Sequence, residues 1–148
     1  MSMDFKKILV PIDGSKQAYE AVQQAVSLAE LYEASLTILF VIDLDKEISA
    51  FEQVSLGGYV EGYVPPELKD GAWKLLTELM HEMPREVQAE SVVLVGDPGE
   101  TIVEKAAAEA YDLIIMGSRG FGTFRRILMG SVSQYVMQHA GCPVMITR

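Results

Sequence analysis

Four short, unbroken apolar runs constrain this chain more than anything else in it. They are Lys7–Ile12 (KILVPI), residues 36–42 (LTILFVI), residues 112–116 (DLIIM) and Val144–Thr147 (VMIT). A strand that is apolar at nearly every position has no face to give to water. Such runs therefore read as parallel strands covered on both sides. A fifth segment, residues 87–95, alternates first and then turns apolar, and reads as a strand as well.

Helical spacing fills the gaps. From about residue 15 to 32, Ala18, Ala21, Val22, Ala25, Val26 and Ala29 recur at three- and four-residue steps, and so many alanines predict close packing on a sheet. Pro65 and Pro66 open a second helix whose stripe is Leu68, Ala72, Leu75, Leu76, Leu79 and Met83, with Pro84 stopping it. Trp73 is expected to pack at the stripe's edge. Asp97-Pro98-Gly99-Glu100 opens a third, with Asp97 as cap and Glu100 completing a capping box. A fourth covers Ser131–His139, and Gly141 is expected to end it in a left-handed conformation. The order βαβαβαβαβ predicts an α/β fold, a doubly wound five-stranded parallel sheet with helices on both faces. A length of 148 residues favours one domain spanning 1–148.

Ligands of such sheets bind beyond the carboxyl ends of the strands, where the strand order reverses. Asp13, Val41 and Gly117 all fall on that edge. Pro11, which removes a ladder donor, implies that the first strand is ending. The segment 116–133, MGSRGFGTFRRILMGSVS, carries the spacing Gly117-x2-Gly120-x9-Gly130-Ser131. Without a Cβ, Gly117 and Gly120 can take positive φ and approach a ligand closely. Gly130 precedes a helix whose first amides lack intrahelical acceptors, and the helix dipole favours an anion there. Ser131 and Ser133 add hydroxyls; Arg119, Arg125 and Arg126 add charge. The expected ligand is a phosphate, although the same residues also suit an ordinary turn with a serine cap. Asp13 has a second reading too, as a cap for the helix that follows it.

Composition removes several function classes. A net charge of −9 argues against nucleic acid, whose phosphates need lysine and arginine. One cysteine, Cys142, allows no internal disulfide and fits a reducing compartment. No run is long enough to span a membrane and no secretory pattern opens the chain, so a cytoplasmic protein is expected. His81 and His139 stand apart from any partner at ligand spacing and read as surface or helix-end residues. Cys142 reads as buried and inert. The glycine segment is neither a P-loop nor a dinucleotide fingerprint, and the chain lacks the acidic pair of a receiver domain. Residues 43–64 form an aperiodic insert of about twenty residues, expected to be mobile or functional.

Three stretches together, KILVPIDGS, GDPGETIVEKAAAEAYDLIIMGSRG and GSV…CPVMITR, resemble the universal stress protein family. The resemblance covers nearly the whole chain and leaves out the insert. It implies a Rossmann-like, adenine nucleotide alpha hydrolase-like fold. It also implies ATP binding, because the complete glycine pattern marks the family's ATP-binding members. By the same resemblance, Gly117, Arg119, Gly120, Gly130, Ser131, Val132 and Ser133 match the phosphate and ribose loop. Asp13 matches an acid near the ribose and a Mg²⁺ on the phosphates. Pro11 and Val41 match contacts to the adenine, Val41 through its backbone. AMP or ADP remain alternatives to ATP. A regulatory nucleotide-binding protein, a slow ATPase and a dimeric interaction module without a functional site all stay open. With no catalytic constellation evident, no enzyme activity is expected. The apolar last strand, Val144–Thr147, should lie at a sheet edge and pair with a second copy in a homodimer.

Overall fold

The computed structural model describes residues 4–44, 64–120 and 129–148. Most of the 43–64 insert, with Gly57, Gly58 and Gly62, lies outside the described residues, as do Arg125 and Arg126. The element order is β1 (Lys7–Ile12), α1 (Lys16–Tyr32), β2 (Ser35–Ile42), α2 (Pro66–His81), β3 (Gln88–Val95), α3 (Pro98–Ala108), β4 (Leu113–Gly117), α4 (Ser131–His139) and β5 (Val144–Thr147). The five strands form one parallel sheet in the order β3-β2-β1-β4-β5. β1 is thus central, and the order reverses between β1 and β4.

Alternation along β1 builds the two faces. Ile8, Val10 and Ile12 join one core cluster with the α1 alanines and with Leu76 and Leu79 of α2. Leu9 joins the other, with Ile102 and Ala106 of α3 and Val136 of α4. Burying a leucine or isoleucine fully stabilises by roughly 1.5–3 kcal/mol, and Ile8, Leu9, Leu36, Ile38, Leu39, Ile114 and Ile115 are all completely buried. Ala21 and Ala25 of α1 have no exposure at all, which lets that helix lie close on the strands.

Helix ends follow local chemistry. Ser15 caps α1, its hydroxyl accepting from the Ala18 N–H at 3.1 Å. Asp13 is not the cap; its Oδ1 accepts from the Ser15 N–H at 2.9 Å and so braces the residue that is. Asp97 caps α3, accepting from the Glu100 N–H at 3.0 Å. The return bond of a capping box, from Glu100 back to Asp97, is absent among the described residues. Gly141 does not end α4 in a left-handed turn: the chain leaves through Ala140 at φ −66, ψ 139, an extended conformation that needs no glycine. Trp73 is 45% exposed and lies outside the buried stripe, which Ala72, Leu76 and Leu79 fill without it.

The ladder shows why a proline stands in the central strand. The Lys7 carbonyl accepts from Asp112 on the β4 side at 2.8 Å, so the two-residue period turns Leu9 and Pro11 the same way. β1 pairs with β4 only at Ile8 and Leu9, whereas its pairing with β2 continues to Ile12. Past Leu9 the central strands part. Pro11 therefore lacks a donor where no strand would accept it. As its place in the sequence implies, β1 ends within one residue of it, at Ile12.

Candidate functional site

The parting of β1 and β4 opens a cleft of about 450 Å³ at the carboxyl edge of the sheet, within the range of about 300–1,000 Å³ that small-molecule sites occupy. Pro11 and Asp13 line it from the end of β1, and Val41 from the end of β2. Gly117, Arg119 and Gly120 line it from the end of β4, and Gly130, Ser131, Val132 and Ser133 from the start of α4. All ten residues singled out in the sequence thus border one space.

The glycines serve by closeness rather than by unusual φ: none of Gly117, Gly120 and Gly130 has a φ in the left-handed region. A Cβ on Gly117 would lie 2.9 Å from the Cβ of Gln17, against α1. A Cβ on Gly120 would collide with Oδ2 of Asp13. At Gly130 a Cβ would sit 3.4 Å from the Arg119 Cα and 3.5 Å from the Ser118 carbonyl oxygen. The strand end packs on α1, the turn on the Asp13 carboxylate, and the helix start on the backbone of Ser118 and Arg119.

Hydrogen bonds sort the available donors from the committed ones. The Gly130 N–H donates to the Ser118 carbonyl at 2.6 Å, and the Arg119 N–H donates to Gln17 Oε1 at 2.8 Å. The Ser133 hydroxyl donates to the Gly117 carbonyl at 2.8 Å, so it holds the turn instead of facing a ligand. Gly130 is the helix cap and has no side chain to accept from the first turn of α4. The amides of Ser131, Val132 and Ser133 therefore remain without an acceptor among the described residues, with the Ser131 hydroxyl beside them.

Side-chain charge does not make this an anion trap. Asp43 and Asp97 line the cleft together with Asp13, while Arg119 is the cation among the described lining residues. Affinity for an anion must come from main-chain amides, the α4 dipole and any cation that arrives with the ligand. At the opposite end, the Ile42 carbonyl accepts from Gly96 on the β3 side at 3.0 Å, which turns the backbone groups of Val41 toward β1. The last β1–β2 pair is Ile12 with Phe40. The Val41 carbonyl thus stands just past the ladder, beside the mostly apolar wall of Pro11, Phe40, Ile102 and Met116.

Three contributors had weak signals or none. Gln17, a lone amide on the flank of an amphipathic helix, carries no motif. Asp43 sits at the start of an aperiodic stretch. Asp97 is legible as a cap, and its position on the cleft follows only once Gly96 is seen to pair with Ile42.

The other polar candidates fall elsewhere. His139 Nδ1 lies 2.9 Å from the Tyr135 carbonyl and its ring stacks on Tyr135; His81 is in the last turn of α2. No group of three or more potential metal ligands occurs among the described residues. Cys142 is half-buried, and burial, followed by the nearby Asp112 charge, pushes its thiol up. No helix of the described residues is long and apolar enough to cross a membrane.

Comparison with known proteins gives a consistent result. Residues 4–148 match the profile of the universal stress protein family. The chain is 36% identical to universal stress protein YxiE of Bacillus subtilis, covering 97% of this chain and 99% of that one. Among solved structures, protein MJ0577 of Methanocaldococcus jannaschii superposes with a TM-score of 0.80 at 30% identity, covering 97% of this chain and 96% of that chain. At 20% identity, with a TM-score of 0.63, the fold is shared by a universal stress protein from Archaeoglobus fulgidus solved in complex with dAMP, over 99% of this chain and 100% of that one. A universal stress protein solved in complex with cAMP shares it at 21% identity and a TM-score of 0.67, over 98% of each chain.

Proposed function

The chain belongs to the universal stress protein family, and on that footing we propose that its cleft binds an adenine nucleotide, ATP ahead of ADP or AMP, as a regulatory ligand. The observation that carries this reading is the convergence of four chain segments on one cleft with unlike ends. One end offers unsatisfied amides at a helix start, which suit phosphate oxygens. The other offers an apolar wall and the Val41 carbonyl, an acceptor that suits the exocyclic amino group of adenine. Adenine mononucleotides in two solved proteins of the same fold point the same way.

The Asp13 carboxylate beside Gly120 fits a hard, oxygen-seeking cation better than a bare phosphate. In this reading Mg²⁺ on the phosphates, when bound, offsets the repulsion between the triphosphate and Asp13. The role of Asp13 is to hold that cation while its Oδ1 keeps α1 capped through Ser15. The reading is one of binding without turnover, in a cytoplasmic protein. It extends to a homodimer formed through the β5 edge, Val144–Thr147, for which light scattering at micromolar concentration should report twice the chain mass.

Titration calorimetry tests the central statement. ATP with Mg²⁺ should bind at one site per chain, and the same ATP with chelator should bind at least about tenfold more weakly, a difference of about 1.4 kcal/mol. Mass spectrometry of what leaves the denatured, freshly purified protein should find an adenine nucleotide. No heat with any adenine nucleotide, and none co-purified, overturns the proposal.

A further inference from the structure

Gln17 does not line the cleft, yet it is tied to the turn that does. Its Oε1 accepts two hydrogen bonds from across the fold, from the Arg119 N–H at 2.8 Å and from the Ser118 hydroxyl at 3.2 Å. A backbone N–H can only donate, which fixes the amide's orientation: oxygen toward the turn, nitrogen away. The methylene next to the backbone packs where a Gly117 side chain would be. One side chain from the first turn of α1 thus meets the last residue of β4 and holds the two residues of the turn that follow it.

Those three residues set the floor of the phosphate end. Ser118 is 4% exposed and is held on all its polar atoms. Its N–H donates to the Thr147 carbonyl at 2.8 Å, its carbonyl accepts from Gly130, and its hydroxyl goes to Gln17. Gly130 is the residue from which α4 starts, so the aim of the Ser131–Ser133 amides depends on where Ser118 lies. Among the described residues, no comparable tie joins Gln17 to the Val41 end of the cleft. We propose that Gln17 is a positioning residue for phosphate recognition: it fixes the turn after β4 so that the α4 amides meet the phosphate tail, and it has no part in recognising the base. This rests on the nucleotide-binding reading given above.

The two ends of the ligand separate this role from general support of the fold. Gln17→Met keeps the length of the side chain and its packing under Gly117 but removes the acceptor that the Arg119 N–H and the Ser118 hydroxyl share. In calorimetry it should weaken ATP with Mg²⁺ by about tenfold, change adenosine by less than about twofold, and lower the melting temperature of the free protein by no more than about 3–6 °C. Ser118→Ala removes only the longer of the two bonds and should lower ATP affinity in the same direction by about two- to threefold. It supplies the same readout should the Met variant fail to fold. Equal losses for ATP and adenosine would mean that Gln17 merely supports the fold, and would overturn the proposal. So would unchanged ATP affinity in both variants. The wild-type titration stands apart as the test of the cleft itself: if it binds no adenine nucleotide, that reading falls and this one with it.

Discussion

The two ends of the central strands are built from similar groups and treat them in opposite ways. At the amino end, the Asp112 carboxylate accepts from the Lys6 and Lys7 N–H groups at 3.0 and 2.9 Å. The Lys6 and Lys7 ammonium groups are donated to the carbonyls of Tyr32 and Glu109. The buried Tyr111 hydroxyl donates to Thr37, whose hydroxyl donates in turn to Glu90. At the carboxyl end, Asp13 stands at a rim, β1 and β4 part, and a helix begins with its amides open. One end has spent its polar groups on itself, so it stabilises the fold. The other leaves the first amides of α4 without an acceptor among the described residues, which is the physical condition for holding a ligand.

Substitutions at the two ends should divide accordingly. The largest effect is expected at Gly130. Its φ of −74 and ψ of 162 suit a β-branched residue, so Gly130→Val should fold, while the added methyl groups stand between the turn and the α4 amides. ATP affinity should fall more than about a hundredfold, or about 2.7 kcal/mol, with the urea midpoint little changed. Retained affinity would put the phosphates somewhere else. Asp112→Ala should behave in the reverse manner. It removes the acceptor of two main-chain N–H groups and should cost about 2 kcal/mol in urea unfolding, with nucleotide affinity within about twofold of wild type. If affinity fell with stability, the two ends would not be independent.

The smallest effect is expected at Tyr111, and it appears with pH. Burial, the leading cause, lifts its phenol above the usual value, while the bond to Thr37 works the other way. A group whose pKa is raised by folding lends its full stability below the unfolded pKa, about 10 for tyrosine, and withdraws it as pH climbs through the folded value. Stability should therefore decline above about pH 10. Tyr111→Phe should lose about 1 kcal/mol at neutral pH and show a shallower alkaline decline in urea titrations at several pH values.

Much of this was legible before any coordinates. Apolar runs and helical spacing located each strand and helix of the described residues to within a few residues, because a strand buried on both faces and a helix buried on one leave unmistakable periods. The glycine spacing marked a stretch that does line the cleft, but positive φ is not what its glycines supply: Gly117 lies close against Gln17 and Gly120 against the Asp13 carboxylate, while positive φ among the described glycines falls at Gly14 and Gly96. Gln17 was illegible because its importance lies in what faces it across the fold, which no local pattern records. The same holds for Ser133, whose hydroxyl looked like a ligand donor and is consumed by Gly117. Asp97 carries a local signal that accounts for it fully as a cap and so hides its place on the cleft.

The central position of β1 has a consequence for how the chain is made. Its two flanking partners emerge from the ribosome far apart in time: Leu36 can pair with Ile8 from one side early, whereas Leu113 can pair with it from the other only after residues 37–112 have followed. Contacts of such long sequence separation form slowly. Until β4 arrives, the first strand has one bare edge, and the cleft has only half its walls. A ligand of this cleft therefore cannot guide the early stages of folding; it can act only on a chain in which β4 and α4 are already in place.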